Sequence, residues 1–163
     1  MFAVLLSVGL AQGIAPLFGY CYGAQQTKRL RKTVFIGAFF DILLGIFFMV
    51  VFALFAHILT AFFLDDSSLI TQSASFLKVI GLSAPMIGII NIVTSYFQAL
   101  GKALNSMIIT LLRNVILFIP GVMLMDTLWN LPGVIATQPV VECIVMVVSI
   151  ILYLLNQKRE IVS

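Results

Sequence analysis

Five apolar stretches, about 2–24, 33–63, 73–100, 104–125 and 132–155, make up most of this 163-residue chain. A helix rises about 1.5 Å per residue, so about 20 apolar residues cross the hydrocarbon core of a bilayer. Each stretch is long enough, and the second has residues to spare for tilt or protrusion. An all-α integral membrane protein with five transmembrane helices is therefore expected. Composition agrees: 62% of residues are hydrophobic and 9% charged, with mean hydropathy +1.19, where a soluble domain carries ~25% charge. The missing charge implies a surface that faces lipid, so the net charge of +3 does not point to a nucleic-acid partner.

The connections alternate in character. QQTKRLRK follows the first stretch and holds Lys28, Arg29, Arg31 and Lys32. LDDSSLITQ, after the second, holds two acids and no base. Lys102 lies in the third connection, Asp126 without a base in the fourth, and Lys158 and Arg159 in the tail. Cytoplasmic loops carry the excess of Lys and Arg, which places the 28–32 loop, the 101–106 turn and the C-terminus in the cytoplasm. The DDSS loop and the Trp129 turn then face outward, with Trp129 suited to anchor at the interface. The first helix would run from outside to inside. An odd number of spans beginning abruptly in lipid, without a signal-peptide n-region, suggests a C-terminal piece of a larger membrane protein.

That first helix is unusual. GLAQGIAPLFGYCYGA, Gly9 to Ala24, is apolar enough for lipid, yet it carries glycines, a proline, a glutamine and two tyrosines. Such a segment packs against other helices or lines a polar cavity, because freed backbone groups find no water in lipid. All five prolines sit in or at the start of apolar spans. Pro132 falls in a first turn, where its missing N–H costs little. Pro16, Pro85, Pro120 and Pro139 are internal, where each removes a hydrogen bond and kinks its helix. Four such breaks favour a conformational role, in which bends open cavities and free carbonyls, over simple tolerance of proline in membrane helices.

Polar groups at depth are costly and mark function. Asp41 and Arg113 lie equally far from the cytoplasmic ends of their spans, which permits an ion pair. Glu142 lies roughly 15 Å from the outer end of the last span, near the midplane, and suits either ion coupling or partnership with Arg113; the latter is favoured. Asn91, Thr94, Ser95 and Gln98 recur at i, i+3, i+4 and i+7, one face of a helix that has to meet protein or water. Gln12, Asn91, Gln98, Asp41, Arg113 and Glu142 are thus the candidates for a substrate or ion pathway. His57 and Lys78 lie near outer ends, where interfacial placement suffices. Cys21 and Cys143 read as small core residues. No Cys/His grouping has metal spacing and no phosphate-binding loop is present. No catalytic or metal site is expected, and the intramembrane acids and histidine sit at depths too different to converge as an enzyme's.

Three segments resemble the multidrug and toxic compound extrusion (MATE) family. GLAQGIAPLFGYCYGA fits its G-x-x-Q-x-x-x-P-x-x-G-x-x-x-G-A signature. SYFQALGKALNSMIITLLRNVILFIPGVMLM looks like its Gln-Ala-x-Gly-Lys turn and the Arg-bearing helix ending in Ile-Pro. GVIATQPVVECI is similar to the start of its last helix. The resemblance implies a twelve-helix, two-lobe fold of the wider MOP superfamily. Residues 1–163 would form a partial C-terminal lobe, helices eight to twelve, with the preceding seven helices as missing partners. It implies a multi-pass protein of the cell membrane that exports lipophilic, often cationic, drug-like compounds. Na⁺ or H⁺ would be the coupling ion and no cofactor would be bound. One departure concerns the tenth helix, where several members carry a cation-binding acid; here 73–100 has none. Glu142 stands where related members carry an Asp after Gln-Pro. A lipid-linked oligosaccharide flippase of the same superfamily is the nearest alternative, disfavoured because only Arg113 lies deep. A membrane assembly subunit is the alternative of a different class.

Overall fold

A computed structural model describes the backbone of residues 2–62 and 67–162 and, except at 2–3, 67–68, 128–132 and 159–162, their side chains. Asp65 and Asp66 of the DDSS loop, and the side chains of Trp129, Pro132 and Arg159, lie outside the described residues. The described chain is helical, with α1 Phe2–Gly23, α2 Thr27–Ala61, α3 Ser67–Gly81, α4 Ala84–Ala99, α5 Ala103–Leu111, a π-helical segment Leu112–Leu117 and α6 Phe118–Val162. These supply five runs long and apolar enough to cross a membrane: Val4–Gly23, Thr27–Ala61, Leu69–Ala99, Ala103–Thr127 and Gly133–Lys158.

The helices differ from expectation in three places. First, the basic cluster is not a loop. Lys28, Arg29, Arg31 and Lys32 form the first turns of α2, with no acid among them. Cations there oppose the helix dipole, so the helix itself gains nothing from their placement. Second, Pro85 breaks its span outright instead of kinking it. α3 stops at Gly81 and α4 begins at Ala84, with Pro85 in its first turn. A proline ring cannot share space with the carbonyl four residues earlier. The chain therefore tightens through Leu82 and Ser83, whose amides bond to Val79 and Ile80, and the Ser83 hydroxyl donates to Ile80 O at 2.6 Å. Third, helical backbone continues through the expected turn near Asp126. Reversal occurs nonetheless: Arg113 touches Glu142, and a side chain on Gly121 would meet Thr137 at 2.9 Å. On a straight helix Arg113 and Glu142 would lie about 43 Å apart, so the chain folds back between Gly121 and Thr137.

Pro120 acts further away than its own turn. It has no N–H for the Ile116 carbonyl, and its ring presses on that group. The backbone widens over Leu112–Leu117 into a π-helical turn, which relieves the crowding. Asn114 Nδ2 supplies an extra donor to Thr110 O at 3.0 Å.

Core and periphery follow from one central helix. Buried Ile90, Ile92, Val93, Tyr96 and Phe97 of α4 pack with Ala11, Phe18 and Cys21 of α1, Leu30 and Val34 of α2, and Val141 and Val145 of α6. The seam on α2 is narrow: Leu30, Val34, Gly37, Asp41 and Gly45 recur every three or four residues. Its other faces expose Phe35, Phe39, Phe40, Phe47, Leu54 and Ile58, the large apolar side chains expected to meet lipid. Two glycines let α2 and α4 approach. A Cβ on Gly45 would meet Pro85 and Ala84 backbone, and one on Gly88 would lie 3.1 Å from atoms of Asp41. Close contact through small residues is what holds helices together where lipid is as apolar as the side chains.

Both turns at the basic end use one motif. Gln26 N bonds Cys21 O and Gln25 N bonds Tyr22 O; Lys102 N bonds Phe97 O and Gly101 N bonds Gln98 O. This pairing needs one left-handed residue, Gly101 at φ 72 in one case and Gln25 at φ 55 in the other. A side chain costs roughly 1–2 kcal/mol in that conformation. Gly101→Ala is expected to destabilise by about 1 kcal/mol and Gln25→Gly to stabilise by a fraction of that, read as opposite shifts in melting temperature in detergent.

Candidate functional site

The six candidate residues separate into three places. The first is the π-helical turn. Arg113 donates from Nε and Nη2 to Glu142 Oε1 at 3.0 and 2.6 Å. Glu142 is 3% exposed and the Arg113 side chain 22%. Glu142 Oε2 is buried with no hydrogen-bond partner among the described residues. Arg113, Asn114, Phe118, Gln138, Val141 and Glu142 surround a cavity of about 180 Å³. Its polarity is that of a neutralised pair plus two amides, so it presents hydrogen-bonding groups without a net charge. The alternative partnership of Arg113 with Asp41 is not formed. Equal depth is necessary for such a pair but says nothing about neighbours: α2 packs on α1, α3 and α4, while the π-helical turn packs on α5 and α6.

The second place is a groove between α1 and α4. Gln12, Ala15, Pro16 and Gly19 line one side and Ser95, Gln98 and Ala99 the other, around about 470 Å³. Here the glutamine and proline of α1 act together. Pro16 offers no N–H to the Gln12 carbonyl, leaving an acceptor beside the Gln12 amide. Gln98 is exposed on the facing helix. The expected stripe on α4 divides: Ser95 and Gln98 reach this groove, Thr94 bonds back to Ile90 O, and Asn91 turns to α1.

The third place lies in the core. Asn91 Nδ2 donates to Ser7 Oγ at 3.0 Å. Asp41 is 0% exposed, and neither carboxylate oxygen has a hydrogen-bond partner among the described residues. Ser7 stands beside that carboxylate, near enough to act on it without the alignment of a hydrogen bond. Sequence reasoning overlooks Ser7. A single serine between Leu6 and Val8 carries no pattern, and its partner lies 84 residues away.

A further network closes the basic end. Lys102 Nζ donates to Asn156 Oδ1 at 2.6 Å, and Asn156 Nδ2 donates to the Tyr96 hydroxyl at 3.1 Å. Lys102 also lies 5.9 Å from the centre of the Tyr22 ring. The ends of α1 and α6 and the α4–α5 turn therefore meet, which brings the alternate basic connections to one end of the bundle. Asn156, part of the expected tail, instead belongs to the buried core. Of the outlying residues, His57 and Lys78 are exposed, Cys21 is buried and Cys143 exposed. No group of three metal-ligating side chains occurs among the described residues.

Comparison with known proteins fits this arrangement. A protein named multidrug export protein MepA from Staphylococcus saprophyticus is 25% identical over 161 residues, covering 98% of this chain and 35% of the relative. The protein of the same name from Staphylococcus aureus strain N315 is 29% identical over 165 residues, again covering 98% and 35%. The chain thus spans about a third of the length of the curated relatives it matches. No solved structure matches it. The MatE family model matches residues 1–124, a stretch that contains the groove between α1 and α4, the basic-end turns and the arginine-bearing π-helical turn, and the chain belongs to the MatE family.

Proposed function

We propose that these residues form part of a secondary active exporter of lipophilic, often cationic, compounds, driven by inward movement of Na⁺ or H⁺. The observation that carries this reading is the match to the MatE family over 1–124, joined to full-length relatives named as multidrug export proteins. In the complete protein these five spans would belong to a C-terminal lobe, working against seven helices that precede them. The groove of Gln12, Pro16, Ser95 and Gln98 supports the reading, because neutral amides and a freed carbonyl can accept from many substrates without selecting one. Basic residues gathered at one bundle end support a cytoplasmic C-terminus. A lipid-linked oligosaccharide carries phosphate and calls for an excess of basic groups at depth. The one deep arginine is already neutralised by Glu142, which disfavours a flippase.

Cells stripped of their own efflux pumps and expressing the intact protein are expected to extrude a fluorescent lipophilic cation. Collapsing the sodium and proton gradients in separate arms identifies the coupling ion, because only one collapse should abolish efflux. Efflux indifferent to both would reject antiport. Membrane-inserted protein with no efflux of any probe would favour an assembly subunit.

A further inference from the structure

The Asp41 carboxylate occupies an electrostatically unfinished position. It is fully buried, neither oxygen has a hydrogen-bond partner among the described residues, and the deep arginine is engaged elsewhere. Among the described residues, the elements packed on α2 place no charged partner on this carboxylate. α1 and α4 contain no Lys, Arg, His, Asp or Glu, and their titratable groups are Tyr20, Cys21, Tyr22 and Tyr96. Tyr96 is committed to Asn156. Lys78, the cation of α3, lies in the last turn of its helix with its side chain exposed. On α2 itself Lys32 and His57 are separated from Asp41 by about 14 and 24 Å of helix. A carboxylate without a counter-charge in such surroundings is strongly disfavoured and becomes neutral instead.

Space argues for the smallest cation. Gly88 closes over the carboxyl so tightly that even a Cβ there would lie 3.1 Å from Asp41 Cγ. Beside Ser7 is a cavity of about 10 Å³ walled by Val4, Leu44, Gly45, Ala84 and Ile87. That is room for about one water, and apart from Ser7 its side chains are apolar. A metal cation needs several oxygen ligands, and Asp41, Ser7 and Asn91 are the polar side chains gathered here.

We propose that Asp41, flanked by Ser7 and Asn91, is a proton-binding site in the core between α1, α2 and α4, holding one exchangeable proton as a neutral carboxylic acid. Release breaks the carboxyl O–H bond and passes the proton to a water entering beside Ser7. The resulting anion then demands solvent, so the seam between α1 and α2 loosens when the proton leaves. Protonation thereby closes the seam and deprotonation opens it. The link from this seam to efflux rests on the exporter reading; proton binding itself does not.

Infrared difference spectroscopy across a pH titration, on intact protein in lipid nanodiscs, reads this directly. A protonated-carboxyl C=O band that shifts in D₂O should vanish in Asp41→Asn. That variant should also melt no lower than wild type, since an amide is close in shape to the neutral acid. Ser7→Ala should keep the band but move its frequency, because the neighbouring hydroxyl is gone, and it serves equally if Asp41→Asn does not fold. A band that survives Asp41→Asn, a band unmoved by Ser7→Ala, or sodium displacing it at fixed pH would each overturn the proposal. A band with these properties in a protein that exports nothing upholds the site and rejects the exporter reading. Export without the band does the reverse.

Discussion

Gly45→Ala is expected to lower the melting temperature in detergent further than alanine at any other glycine whose surroundings are described, and Gly45→Leu to prevent recovery of folded protein. An added Cβ would lie 2.5 Å from Pro85 Cα, 2.7 Å from Pro85 N and 2.8 Å from Ala84 O. All three are backbone atoms at the point where α3 breaks into α4, so no side chain can swing aside. Overpacking usually costs about 1–3 kcal/mol when neighbours can yield; where they cannot, about 3 kcal/mol or more follows. Gly121 provides a graded comparison, because its 2.9 Å neighbour is the methyl end of Thr137. Gly9 and Gly13 have nothing within 4 Å. Alanine there should be neutral or stabilising, by up to about 1 kcal/mol of helix propensity. A Gly45→Ala protein that melts like wild type would mean that α2 does not cross the break at this point.

The same crossing shows where sequence reasoning reached and where it stopped. Apolar run length marks the five spans, because the bilayer imposes a minimum length that composition alone reveals. The alternation of Lys28–Lys32, Lys102 and Lys158 gathers their connections at one end, which the Lys102–Asn156–Tyr96 network then joins. Glu142 as partner of Arg113 is legible because a carboxylate near the midplane of the adjacent span needs a cation, and the structure forms that pair. What remained hidden depends on which helices touch. Asp41 and Arg113 match in depth yet lie on helices with different neighbours. Pro85 is legible as a disruption, but whether it bends a helix or divides it depends on Gly45 leaving room for the break. Pro120 marks a defect whose relief appears before it, in the π-helical turn at Leu112–Leu117. Ser7 and Asn156 gain meaning only from partners far along the chain.

Arg113→Met is expected to destabilise the protein by about 3 kcal/mol, near the lower end of what breaking a buried pair costs, because the arginine side chain keeps 22% exposure. The loss comes from the survivor. Glu142, 4% exposed at its side chain, would keep a buried oxygen already without a partner and lose both donors to the other. Glu142→Leu leaves the guanidinium facing the same cavity with its charge uncompensated, and should cost somewhat less because arginine can turn outward. The double variant is the decisive protein. With both charges removed and apolar volume kept, no desolvated ion remains, and stability should return to within about 1 kcal/mol of wild type. Melting temperatures of the four proteins in one detergent give the coupling by a double-mutant cycle. A double variant destabilised by the sum of the two single losses would show that the two side chains do not interact. The outcome also separates the two acids of the core. Neutralising Glu142 strands a partner and destabilises, whereas neutralising Asp41 strands nothing and should leave the melting temperature where it was.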